Sequence, residues 1–252
     1  MPKRQREPGS KATTAIVGLD APVEVRRHPT ARRMTLRVSR TKGTVIVTMP
    51  LRCNVDDAGS FVNRHLDWVR DRLHTLPELV PFADGARLPI RGVFHRLDFA
   101  ADRNRAGPLV EVLAGPTIGS DPVLVINGRP ASAPRHLSRW LIEQSRVDLV
   151  RQVGVHAQRL GLEPKRIAIR DQTSRWGSCS TTRVLSFSWR LILAPPDVLD
   201  YVAAHEVAHL AEMNHGPRFW ALVKKTMPDM DGPRRWLTSY GAELHRYGQG
   251  RD

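Results

Sequence analysis

His205-Glu206-Val207-Ala208-His209-Leu210-Ala211-Glu212-Met213-Asn214-His215 is the stretch whose reading decides the fold. Residues four apart on an α-helix share a face, with Cβ atoms about 6 Å apart. His205 and His209 can therefore reach one ion from one helix. Glu206 is about 100° round from His205, which sets its carboxylate beside such an ion and not on it. This is the logic of the His-Glu-x-x-His pattern, in which the carboxylate is a general base for water. Zn²⁺ with three protein ligands keeps a fourth position for water and lowers that water's pKa to about 7. The pattern predicts one Zn²⁺ as cofactor and hydrolysis as the chemistry.

The third ligand has to come from beyond the motif. Glu212 follows His205 by seven residues, and on a straight helix it would be about 10 Å further along the axis, poorly placed to close a tripod. Asn214-His215-Gly216-Pro217 is a turn signal, and a turn there can bring His215 back over the ion. His245 and Glu243, near the C-terminal end, are the alternatives. The spacing from His205 to His215 equals that of the metzincin pattern, but Glu212 stands where that pattern has glycine. Leu199, Tyr201, Val202 and Val207 give the motif helix the apolar surface of a core helix, and Pro195-Pro196 marks its start. A second helix led by Pro217, running through Phe219, Trp220 and Val223, follows the turn and can lock it.

Upstream of the motif, Lys165 to Arg170 and Val184 to Trp189 read as strands, joined by a polar loop that contains Arg175-Trp176-Gly177-Ser178-Cys179. Residues 133–160 read as a helix with Leu137, Leu141, Val147, Val150 and Val153 as its apolar stripe and Gly161 as its stop. Ala86–Ile90, Phe94–Ala100, Leu109–Leu113 and Val123–Ile126 are short strand candidates. Further upstream, Met34–Val38 and Thr44–Met49 alternate apolar and polar around a loop ending in Gly43, a hairpin signal. Asn54 opens one helix, whose apolar residues are Phe61, Val62, Leu66, Val69 and Leu73. The fold class expected is α+β. A loose basic tail over 1–14 and a β-rich region with one helix over 15–130 precede a catalytic core over 131–252, or one continuous domain runs from about residue 22.

The chain has 252 residues, 41% of them hydrophobic, which supports a packed core and excludes global disorder. Its formal net charge is +14. A surface that basic attracts polyanions, chiefly nucleic acid or acidic membrane. The bland alternative is dispersed arginine serving solubility, and no Lys/Arg block with interleaved aromatics marks a dedicated nucleic-acid motif. The two cysteines, Cys53 and Cys179, lack metal-type spacing, which argues against a disulfide scaffold and fits a reducing compartment. With no signal peptide in the first 20 residues and no apolar run of about 18, a cytoplasmic protein without a membrane partner is expected.

Three runs together resemble the YgjP-like metallopeptidase family, which is related to the SprT-like and WLM zinc peptidases. They are Arg175-Trp176-Gly177-Ser178-Cys179, Trp189-Arg190-Leu191-Ile192-Leu193-Ala194-Pro195, and the stretch from Tyr201 through His205, His209 and His215 to Trp220. Arg32–Val38, Gly43 with Pro50, and Gly85 to Leu97 extend the similarity, which covers about residues 22–245. The family's Leu-Asn before the Trp-Arg-Leu run is Phe187-Ser188 here.

The resemblance implies His205, His209 and His215 as zinc ligands, Glu206 as catalytic base, and a minimal zincin-like core with the metal site on one helix. It sets the strand around Leu185–Trp189 beside the site, where an edge strand can pair with an extended substrate. Arg175, Trp176 and Ser178 are then candidates for contact with a protein or peptide substrate. The loop is equally readable as structural, with Trp176 packing and Gly177 turning, and Cys179 has little claim as a ligand. Arg175, Tyr240 and His245 are the candidates for stabilising an oxyanion. Two competing readings are a SprT-like protease acting on DNA-bound or crosslinked proteins, and a nucleic-acid-binding module with structural zinc. A structural site needs four protein ligands.

Overall fold

The computed structural model describes residues 11–14, 19–39, 43–76, 78–100 and 108–248. The chain separates into two compact units, Met1–Glu78 and Leu79–Asp252.

In the first unit, β1 (Lys11–Thr14), β2 (Val23–Arg27), β3 (Thr35–Val38) and β4 (Val45–Met49) form one sheet in the order β1-β2-β4-β3. β3 and β4 are the expected hairpin, paired antiparallel with Leu36 opposite Val47. Gly43 takes φ +60° at its turn, a conformation glycine adopts without Cβ strain. β1 pairs with β2, so residues 11–14 belong to the sheet and not to a loose tail; residues 1–10 are outside the described residues. The expected single helix is two, α1 (Val55–Arg64) and α2 (Leu66–His74), broken at His65. Asn54 caps α1 reciprocally with Asp57. Val62 and Val69 are fully buried with Val23, Val45, Val47 and Met49.

The second unit opens with β5 (Arg87–Ile90), β6 (Val93–Ala100), β7 (Val110–Leu113) and β8 (Val123–Asn127), in the order β5-β6-β8-β7. These strands were expected to belong with the N-terminal region. Instead Leu88, Ile90, Leu97 and Ile126 share one core with Leu137, Leu141, Ile192 and Leu193, and this apolar continuity moves the division from 130 to Glu78/Leu79.

α3 (Ala133–Leu160) follows and ends at Gly161 with φ +65°. Its buried stripe is Leu137, Leu141, Ser145, Leu149 and Val153, in four-residue steps. Val147 and Val150, expected in that stripe, are 54% and 47% exposed. Val147 is six positions past Leu141, about 240° round the helix, so it cannot share that face.

β9 (Arg166–Arg170), β10 (Gly177–Cys179) and β11 (Val184–Ser188) make a second sheet in the order β10-β11-β9. β11 runs parallel to β9 and antiparallel to β10. Leu185 and Phe187 project from β11 into a core shared with Leu149 of α3 and with Val202, Ala203 and Val207 of α4 (Pro196–Ala208). Fully burying side chains of this size contributes about 1.5–3 kcal/mol each. α4 is buried on nearly all sides, as a site-bearing core helix must be. α5 (Pro217–Thr226) and α6 (Asp231–Tyr240) complete the helices.

The unit is stitched at its ends. Val80 bridges to Tyr247, with the Val80 amide donating to Arg246 O and Gly248 N donating to Val80 O. The buried guanidinium of Arg190 donates to the carbonyls of Leu244 and Tyr247 and pairs with Asp171. Among the described residues no helix is long and apolar enough to cross a membrane.

Candidate metal centre

α4 stops one residue before the second histidine of the motif. It ends at Ala208, and His209 is its C-terminal cap. The chain then turns: Leu210 N bonds Val207 O, and Glu212 N bonds Ala208 O. Glu212 is therefore in the turn and not on the helix. Its carbonyl accepts from His209 Nδ1 at 3.0 Å, which fixes the tautomer and leaves Nε2 as the lone-pair nitrogen. Gly216 caps α5, Gly216 N bonds Asn214 O at 2.8 Å, and Pro217 enters the first turn. The reversal brings His215 back toward α4.

The outcome is a cluster in which ligand atoms of His205, His209 and His215 all come within 4.8 Å of one another. Nε2 of His215 is 3.0 Å from Nε2 of His205. Two ligands of one tetrahedral zinc, each about 2.0–2.1 Å from it, are about 3.3 Å apart. The three-imidazole donor set thus fits a zinc ion in kind, and the His205–His215 pair fits it in spacing. Phe219 of α5 packs against all three rings, with centroids 4.8, 4.4 and 4.7 Å away.

Neither Glu243 nor His245 joins the cluster. His245 is buried and stacks on Trp176 at 4.8 Å. Tyr240 is 51% exposed against Trp236. Cys179 is a free thiol outside the cluster, pushed above its ordinary pKa by burial and then by Glu206.

The family model of the YgjP-like metallopeptidase domain matches residues 32–240. The chain belongs to that family. It is a metallopeptidase, and the family implies a metal. The crystal structure of the metallopeptidase zymogen abylysin from Pyrococcus abyssi is 19% identical, covers 37% of this chain and 95% of its own, and has a TM-score of 0.34, too slight a likeness to argue from. No curated protein matches the chain.

Electrostatics in this YgjP-like chain prepare the cluster for a cation. Burial, then the neighbouring His209, His215 and Arg234, push the His205 imidazole down to about 3. Burial also lowers His209. Both are neutral at neutral pH, the form that ligates metal. Glu206 is 5% exposed, and burial raises its carboxyl to about 8 against the opposing pull of Arg175. Its Oε2 and His205 Nδ1 are buried without a hydrogen-bond partner among the described residues.

β10 is what approaches Glu206. A Cβ on Gly177 would meet Glu206 Oε1 at 2.5 Å and Cγ at 2.6 Å. Gly177 is therefore a close-approach glycine within a strand, and not the turn expected of it. Trp176 packs into the core and stacks on His245, and Ser178 pairs with Ser186 across β10 and β11. The strand beside the site also differs from expectation. β11 is central, with its backbone paired on both sides, so the edge available to a substrate is that of β10. Sequence reasoning missed Tyr201 and Arg234. The Tyr201 ring is 5.9 Å from His205, and Arg234 reaches the centre through Trp220. Spacing four residues before His205 could have flagged Tyr201; nothing local flags Arg234.

Proposed function

We propose that this metallopeptidase is a zinc-dependent endopeptidase with His205, His209 and His215 as ligands and Glu206 as general base. The convergence of the three imidazoles beside a buried carboxyl carries the reading. When bound, zinc supplies a Lewis acid that polarises a carbonyl and acidifies water to a pKa of about 7. With the ion held by the three histidines, Glu206 Oε2 would accept a proton from water and pass it to the leaving amine. In the metal-free protein burial holds this carboxyl protonated up to about 8, and a dication bound beside it would favour the ionised form that accepts a proton. Phe219 and the His209–Glu212 hydrogen bond hold the imidazoles in orientation. The edge of β10 pairs with an extended substrate backbone, positioned by Ser178 and with Arg175 at its rim. Among the described residues the cluster has three members, which favours an open site over a structural zinc closed by four ligands.

The test is zinc content and casein cleavage for the native protein and for Glu206→Gln. Zinc retained with cleavage lost is the expected result. Cleavage that survives, or a protein that takes up no zinc, overturns the mechanism.

A further inference from the structure

Arg234, on α6, lays its guanidinium over the Trp220 ring, 4.4 Å from the centroid. Trp220 in turn packs on the candidate ligands, its ring 5.9 Å from His205 and 5.8 Å from His215. Arg234 is exposed and forms no ion pair with any described residue. Asp231, one turn earlier on α6, comes close enough to act on Tyr201 but is not paired with Arg234.

Stacking uses only the face of a guanidinium. Its five N–H donors lie in the plane and remain free, in the fork geometry that takes a carboxylate bidentately. Packing on an indole also fixes the side chain, which reduces the rotamer entropy lost when a ligand is bound. A lysine ammonium over the same indole would lack the planar fork that takes a carboxylate bidentately. The other cation acting on the site, Arg175, precedes β10 and acts on Glu206. Two arginines thus act on the centre, Arg234 from α6 and Arg175 from the loop before β10, and neither forms an ion pair with a described residue.

We propose that Arg234, propped on Trp220, is a carboxylate-recognising subsite, and that substrates of this centre carry aspartate or glutamate close to the bond that is cut. This rests on the peptidase reading for its meaning but not for its test. The probes are two random-sequence peptide pools, identical except that one carries Glu at fixed positions where the other carries Gln. Binding is measured by fluorescence anisotropy with the zinc-loaded Glu206→Gln protein, and equal zinc content of every variant is the check on folding.

The Glu pool should bind about tenfold tighter at low salt, as expected for one charge-assisted hydrogen-bonded pair. That difference should vanish on adding Arg234→Gln and reverse toward a Lys-containing pool with Arg234→Glu. A Glu preference that persists in Arg234→Gln, or no preference at all, overturns the subsite. Cleavage of the same pools by the native protein separates the two ideas. Equal cleavage of both sinks the subsite and keeps the peptidase. Arg234-dependent binding with no cleavage of either sinks the peptidase and keeps the subsite.

Discussion

Replacing the ionisable carboxyl of Glu206 by an amide should make the metal-free protein less sensitive to alkali. The carboxyl is 5% exposed, and its pKa moves from an ordinary 4.5 to about 8 on folding, chiefly through burial. Between those two values the folded chain holds a proton that the unfolded chain has released. Raising the pH therefore favours unfolding, and stability is lost as pH climbs from about 5 to 8. At 1.36 kcal/mol per unit, the full shift corresponds to a ceiling of about 5 kcal/mol. At pH 5 the penalty is below about 1 kcal/mol, and at pH 8 it has grown to about 4 kcal/mol. Glu206→Gln is neutral throughout. Whatever its amide costs in hydrogen bonding is the same at both pH values and cancels in the comparison. The assay is urea unfolding of both proteins in chelator at pH 5 and pH 8. The native protein should lose about 3 kcal/mol more than the variant across that interval. Parallel pH dependence in the two proteins refutes the claim that Glu206 is held protonated by its surroundings.

Gly177→Ala drives a methyl against the Glu206 carboxylate, so kcat should fall about a hundredfold or more while zinc content is unchanged, measured by metal analysis and peptide hydrolysis. His215→Ala should weaken zinc affinity by an order of magnitude or more in a competition titration; unchanged affinity would return Glu243 or His245 to consideration. Leu149→Ala in the α3 stripe should cost about 2–5 kcal/mol in urea unfolding, and Val150→Ala beside it about 0.5 kcal/mol or less. Comparable costs at the two positions would contradict the packing of α3. Arg190→Met should destabilise by about 3 kcal/mol, because it strands two buried carbonyls, at Leu244 and Tyr247, and unpairs Asp171.

The metal cluster was the most legible part of the chain because its signals are local. A four-residue helical step brings two histidines together, and an Asn-His-Gly-Pro turn returns the third. The hairpin at Gly43, the Asn54 cap and the Gly161 stop were legible for the same reason, since each is decided within a few residues. What failed was decided at a distance. The α3 stripe is the exception: Val147 and Val150 are about 240° and 180° round from Leu141, so the four-residue step through Ser145 and Leu149 was there to be read locally. The strand that meets the site is β10, three residues of small polar character with no alternating pattern to announce it. Its place is set by β11 behind it and by Glu206 in front. Gly177 reads from sequence as a turn residue, and only the 2.5 Å approach to the Glu206 carboxyl shows why a side chain is excluded there. Arg234 carries no motif because its role depends on a tryptophan fourteen positions away on another helix.

The bridge between Val80 and Tyr247 has a topological consequence. Val80, near the start of the second unit, is hydrogen-bonded to Arg246 and Gly248, on either side of Tyr247. A chain closed in this way can be cut elsewhere. Linking residue 248 to residue 79 through a short connector and opening the backbone at the exposed tip between β7 and β8, around Ile118 and Gly119, yields a circular permutant. In that permutant the carbonyls gripped by Arg190 would lie mid-chain. The catalytic unit would then be a loop of sequence whose starting point is a matter of choice.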